Sequence, residues 1–247
     1  MYNLDNDIRY FNKYGFILKK KLFDKKEILK LQKSIKKIQK NKKNSNNIFK
    51  YYERSVVNKK KILVRAENFY NKDKILTKLI KNKKLSLFLK KLFKEKPILF
   101  KEKINFKPSG CRADLLHQDS QAGWNKYSKK FVNVLVSVEK SDKKNGCLQF
   151  DISGNNCFKL VKKDMSPLKT RELINPKFKN FELSEGDTIF FNSYIPHKSK
   201  SNKSKRSRNQ IYLTYNASSR GNFRKKYIEE KRKSFPPEHE RIKGLKY

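Results

Sequence analysis

Of the three histidines in this 247-residue chain, His117 stands two positions before Asp119 in HQDSQAGW. An HxD pair alone means little, because His and Asp fall two apart by chance in many proteins. A second histidine, His197, follows the strand-like run TIFF within FFNSYIPHKSKSN, and Arg208 comes eleven residues later at the head of RNQIYLTYN. Two imidazoles and one carboxylate on separate strand ends can occupy one face of an Fe(II) octahedron and leave three positions open. Those positions suit 2-oxoglutarate and O2. The co-substrate would bind iron by its 2-oxo acid end, which leaves a distal carboxylate to be held. A guanidinium matches that carboxylate with two parallel hydrogen bonds and keeps its charge at any working pH. The third histidine, His239, lies in a polar tail behind Pro236 and Pro237 and reads as surface.

Such a set needs strands to carry it, and the second half of the chain supplies them. ILFKEKINFK, FVNVLVSVE, CLQFDI, FELSEGDTIFF and NQIYLTYNA alternate or run apolar over strand-like lengths, and Asn145-Gly146 and SEGD provide turn chemistry between them. Ahead of them, Ile28, Leu29, Leu31, Ile35 and Ile38 fall on one face of a helix that Asp24 is placed to cap. The stripe Ile75, Leu79, Ile80, Leu87 and Leu92 predicts a second helix over Asp73 to Lys94. Lys42 to Asn47 read as a polar loop, and the tail from Asn222 reads as a helix stopped by Pro236-Pro237. Helices first and antiparallel strands later predict an α+β fold, mainly β, with a jelly-roll core. One domain over 1–247 is expected: a helical part at 1–96, the jelly roll at 97–217, and a C-terminal helix and tail at 218–247.

Composition sets the outer limits. The formal net charge is +40, with 63 Lys and Arg against 23 Asp and Glu. A field of that sign attracts nucleic acid or anionic membrane, yet the lysines are scattered through every segment alongside Asn and Ile, as an AT-rich coding sequence would leave them. The 13% aromatic content argues for a packed core. No apolar run of membrane-spanning length and no signal-peptide layout is present, so a cytoplasmic chain is expected. Cys111, Cys147 and Cys157 are odd in number and lack CxxC spacing, which predicts free buried thiols.

These residues carry a resemblance. YFNKYGFILKKKLFDKKEILKLQ, KEKINFK, HQD with AGW, NGCL, GDTIFFNSYIPHKS and RNQIYLTYN together resemble the phytanoyl-CoA dioxygenase family of Fe(II)/2-oxoglutarate oxygenases, along nearly the whole chain. The resemblance implies a double-stranded β-helix, with iron on His117, Asp119 and His197 and the 2-oxoglutarate carboxylate on Arg208. It adds Asn105 and Ser199 as further co-substrate contacts. LFKEKINFK, HQDSQAGW, SYIPH, LTYN and KYIEEKRKSFPP are most similar to family members acting on organophosphonates, which implies a small anionic or zwitterionic substrate such as 2-aminoethylphosphonate. Lys101, Lys103, Gln118 and Trp124 are then the residues expected to face it. The chain departs from its relatives at PSG (108–110), SGNN (153–156) and PHKSKS (196–201), where substrate loops lie. In halogenating relatives a small residue replaces the carboxylate, so Asp119 favours hydroxylation.

Two other readings compete. A nucleic-acid-directed oxygenase would suit the charge, but nucleic-acid demethylases carry a second arginine six residues past the first, and Thr214 stands there. A non-catalytic basic nucleic-acid-binding protein would require all four aligned residues to be accidental.

Overall fold

The structure, a computed structural model, describes residues 4–41 and 48–245. The chain opens with α1 (Leu4–Tyr14), β1 (Phe16–Lys19) and α2 (Lys25–Lys40). Asp24 does cap α2: its Oδ1 accepts the Glu27 N–H at 2.8 Å, and the Glu27 carboxylate accepts the Asp24 N–H at 2.9 Å. Such reciprocal capping stabilises a helix start by about 1 kcal/mol. Ile28, Leu31, Ile35 and Ile38 are buried as expected, whereas Leu29 is exposed.

A hairpin follows, β2 (Phe49–Arg54) and β3 (Lys61–Glu67), in a part expected to be helical. Its sequences, FKYYER and KILVRAE, interleave charges with apolar residues and so blur the strand signal. The polar loop expected at Lys42 to Asn47 lies outside the described residues. The single helix expected over Asp73 to Lys94 is two, α3 (Lys74–Ile80) and α4 (Lys83–Phe93). Asn82 divides them, because its side chain accepts the Lys84 N–H at 2.8 Å and starts a new helix. The turn rotates the stripe, leaving Ile75 and Leu87 exposed.

From Pro97 to Ala217 the five expected strand runs form, joined by three short strands at 114–117, 178–181 and 197–199 that were not expected. They are β4 (Pro97–Lys107), β5 (Asp114–His117), β6 (Val132–Ser137), β7 (Leu148–Asp151), β8 (Phe178–Phe181), β9 (Thr188–Asn192), β10 (His197–Ser199) and β11 (Arg208–Ala217). They divide into two antiparallel sheets ordered β9-β6-β11-β4 and β5-β10-β7-β8, four strands facing four, a jelly roll. β1 extends the first sheet on one edge and β3-β2 on the other, giving seven strands. Alternation assigns the faces of this sheet: Val132, Val134 and Val136 of β6 pack with Ile28, Leu31 and Phe88 of the helices. Leu135 turns inward to meet Phe150, Phe181 and Phe191 between the sheets. Gly146 closes the turn before β7 at φ +74°, where a Cβ would lie 2.3 Å from the Lys200 carbonyl oxygen.

The last element, α5 (Arg224–Ser234), ends before Pro236-Pro237 as expected and is bolted on by ion pairs. Arg224 donates to both carboxylate oxygens of buried Glu102, at 3.0 and 2.5 Å, and Lys231 donates to Glu67 at 2.5 Å. Burial alone would raise the Glu67 carboxyl, but Lys231, Arg65 and Lys101 outweigh it and pull the group down to about 2. A carboxyl so depressed from 4.5 gives stability that is complete above 4.5 and is lost as pH falls from there towards 2. Glu67→Gln should therefore lower stability at pH 7 by about 3 kcal/mol and flatten the acid limb of the stability curve. Urea melts of both proteins between pH 7 and pH 3 measure this, and an unchanged acid limb would show that Glu67 does not drive it.

Candidate metal centre

Strand register brings the two histidines together. β10 pairs with both β5 and β7, and His197 is the cross-strand partner of His117 on one side and Phe150 on the other. The imidazole centroids lie 4.2 Å apart. Asp119 follows β5 directly, in a 3-10 turn over Asp119–Ala122 that swings its carboxylate under the rings. Asp119 Oδ2 lies 3.9 Å from His197 Nε2. One ligand atom from each of the three residues falls within 4.8 Å of the others.

The protonation pattern fits a divalent metal. Nδ1 of His117 lies 2.7 Å from the Leu115 carbonyl oxygen and Nδ1 of His197 lies 2.9 Å from that of Ile195. Each Nδ1–H donates there, which leaves each Nε2 lone pair free for a metal. Burial first, and then the neighbouring His117, push His197 down to about 4, so its ring is neutral at pH 7. Burial works against the Asp119 carboxylate, but Lys103, His197, His117 and Lys101 together hold it below the ordinary carboxylate range. The set is two imidazoles and one carboxylate, the donors that suit Fe(II).

Asp119 is oriented by residues the sequence reading passed over. Asn133 donates from Nδ2 to Asp119 Oδ2 at 2.9 Å, and the Thr214 hydroxyl donates to Asn133 Oδ1 at 2.6 Å. Both side chains are buried in central strands, and Asn133 stands in the apolar run VNVLVS. That was the available signal: a buried amide in a central strand demands partners.

Arg208 opens β11 opposite Lys107 at the end of β4. It is 2% exposed, and neither its Nε nor its Nη1 has a hydrogen-bond partner. Leaving a buried guanidinium unsatisfied costs several kcal/mol unless a ligand completes it. Arg208 shares a cavity of about 340 Å³ with His117, His197, Asn105, Lys103 and Tyr212. Arg206, two residues earlier and half exposed, pairs instead with Asp142.

Four other expected residues have different places. Ser199 donates its hydroxyl to Asp114 and accepts from Lys107 Nζ at 2.6 Å, so it acts through that pair. Gln118 turns away from the cavity: its amide donates to the carbonyls of Asn156, Lys159 and Tyr194, and its Oε1 accepts the Val161 N–H at 2.8 Å. With Gln121, which donates to the Asp164 and Ser166 carbonyls, it tethers the β7–β8 loop, whose Met165 and Pro167 cover the cavity. Trp124 is buried in an aromatic cluster with Phe100, Tyr127, Phe131 and Tyr227. Lys101 sits over its ring at 4.8 Å, outside the cavity wall. Alternation explains Gln118, because the residue between two ligands points the other way, and position along the strand explains Lys101, because the start of β4 runs beneath α5.

A family model described as phytanoyl-CoA dioxygenase matches residues 11–210. The chain is 36% identical over 211 residues to a 2-aminoethylphosphonate dioxygenase from an uncultured bacterium, covering 80% of this chain and 76% of that protein. It is 33% identical over 146 residues to a methylphosphonate hydroxylase of Gimesia maris, covering 58% and 55% respectively. Among solved structures, EctD from S. alaskensis with 2-oxoglutarate and 5-hydroxyectoine superimposes with a TM-score of 0.72 at 16% identity, over 87% of this chain and 76% of that one, a likeness of fold. With a match that runs from the end of α1 to the head of β11 and takes in every residue of the triad, the chain belongs to the phytanoyl-CoA dioxygenase family.

Proposed function

We propose that this enzyme hydroxylates a small organophosphonate, with Fe(II) held by His117, Asp119 and His197 and the distal carboxylate of 2-oxoglutarate held by Arg208. One observation carries the reading: a metal-ready His-Asp-His set and an unpartnered buried arginine share one cavity. Similarity to two phosphonate oxygenases supports the substrate class. The cationic lining of the cavity supports a substrate that is anionic or zwitterionic. A cytoplasmic location belongs to the same reading and is supported by three free, buried cysteines; among the described residues no helix is long and apolar enough to cross a membrane.

Iron, when bound, supplies the coupling of 2-oxoglutarate decarboxylation to oxygen insertion, with succinate and CO2 as the other products. The protein's part is to place and shield. Arg208 fixes the co-substrate at its far carboxylate, which sets the direction from which the 2-oxo acid end reaches the triad. Asn133, itself held by Thr214, fixes Asp119 through Oδ2 and so sets the direction in which the carboxylate meets the two imidazoles. The loop tethered by Gln118 and Gln121 covers the cavity and limits water.

Under anaerobic conditions Fe(II) plus 2-oxoglutarate should give the weak visible charge-transfer band of a chelated 2-oxo acid. His197→Ala should abolish it, and a wild-type protein that binds no iron would overturn the reading. Asn133→Leu, which keeps the branching of the side chain but not its hydrogen bonds, should weaken Fe(II) binding by about ten- to a hundredfold, measured by metal titration on protein whose fold is checked by circular dichroism. For the reaction, 2-aminoethylphosphonate should raise succinate release well above the uncoupled rate and gain one oxygen atom from O2 at the carbon beside phosphorus. Stimulation by betaines or amino acids and by no phosphonate would discard the substrate and keep the oxygenase.

A further inference from the structure

Four cations besides Arg208 line the cavity: Arg65, Lys103, Lys107 and Arg112. Two of them are already neutralised. Lys107 donates to Asp114 at 2.9 Å and to Ser199, and Arg112 grips Glu53 with hydrogen bonds of 2.8 and 3.1 Å. Arg65 and Lys103 differ. Arg65 Nε is ion-paired at 3.5 Å with Glu67 Oε1 but makes no hydrogen bond, and it shares that carboxylate with Lys231, which takes the other oxygen. The ammonium of Lys103 lies 4.8 Å above the Tyr212 ring, with Asp119 its leading opposite charge.

Register puts these two cations side by side and apart from Arg208. Arg65 of β3 is the cross-strand partner of Asn105, which is two residues from Lys103 on the same face of β4. Lys107, the partner of Arg208, lies four residues beyond Lys103. Four residues of extended chain span about 13 Å. With Arg65 on β3, two strands away from Arg208 on β11, the two cations are rooted closer to each other than either is to Arg208.

We propose that Arg65 and Lys103 form the phosphonate subsite, binding the dianionic headgroup of the substrate while Arg208 holds the co-substrate. The assignment rests on the reaction proposed above. A fork and a point charge on one wall suit a tetrahedral dianion better than a single carboxylate. Arg65 is held ready from behind, with its guanidinium 4.8 Å from the Tyr51 ring, which is itself stacked on Phe235 of the C-terminal segment at 5.6 Å. Both carboxylates on the wall, Glu53 and Asp114, are engaged by cations. The phosphonate is therefore the group recognised, and the amine contributes less.

Calorimetry without O2, on protein loaded with Fe(II) and 2-oxoglutarate, tests this. Wild type should bind 2-aminoethylphosphonate and ethylphosphonate but not propylamine. Arg65→Gln and Lys103→Met should each weaken phosphonate binding by about ten- to a hundredfold, with 2-oxoglutarate affinity kept within about twofold, as for independent sites. Arg65→Lys should recover part of the loss. Arg208→Lys should do the converse, weakening 2-oxoglutarate and sparing the phosphonate. If wild type binds phosphonate and both subsite variants bind it equally well, the subsite is wrong and the reaction stands. If wild type binds no phosphonate, the substrate reading and the subsite fall together. Parallel loss of both ligands in the Arg65 and Lys103 variants would overturn two stations in favour of one shared site.

Discussion

The antiparallel pairing of β10 with β5 is the constraint on which the site depends. It makes His197 and His117 direct cross-strand partners, and it places Asp119 one turn beyond the end of β5. A slip of β10 by one residue would turn His197 to the outer face and away from His117. Register here is held from several sides. Phe150 of β7 pairs with His197 and packs against Phe181 and Phe191 between the sheets, so the apolar filling that closes the sandwich also fixes the ligand strand.

The same alternation resolves how so charged a chain buries a polar site. On β4, Ile104 and Phe106 join the core beneath the helices, while Lys103 and Asn105 face the cavity. KEKINFK is thus a half-apolar, half-cationic strand whose two faces serve different tasks. Buried cations are tolerated where a carboxylate or a ligand completes them. Lys107 has Asp114, and Arg224 has Glu102. Arg208 lacks such a partner for its Nε and Nη1 among the described residues, the observation on which its proposed role rests.

Closure of the cavity comes from residues with no catalytic chemistry. Gln118 and Gln121 meet backbone groups of the β7–β8 loop, and Gln121 Oε1 also accepts the Gln118 N–H at 2.8 Å. HQDSQ is therefore a motif with two outputs: His117 and Asp119 turn to the metal side, and the two glutamines anchor the cover. The C-terminal segment plays a similar part at the opposite wall, where Lys231 and Phe235 brace Glu67 and Tyr51 behind Arg65.

Much of this was legible in the chain. The triad, Arg208, the capped helix α2 and the jelly-roll strands announce themselves because ligand type, cap chemistry and hydrophobic period are local properties. Asn82 shows the limit, since one capping side chain split an apparently continuous helical stripe. Trp124 and Gln118 show another: residue type recommended them for substrate, while packing and strand direction sent them elsewhere. Asn133 and Thr214 acquire a partner, and Arg65 a place at the cavity, only in three dimensions. Their roles arise from partners distant in sequence, Asn105 across a sheet edge and Asp119 across the cavity floor. By itself, the sequence determined which groups could bind metal and anions. Tertiary structure decided which of its many cations are left without a partner in a shared cavity, because that depends on pairing between strands rather than on any property of the residues alone.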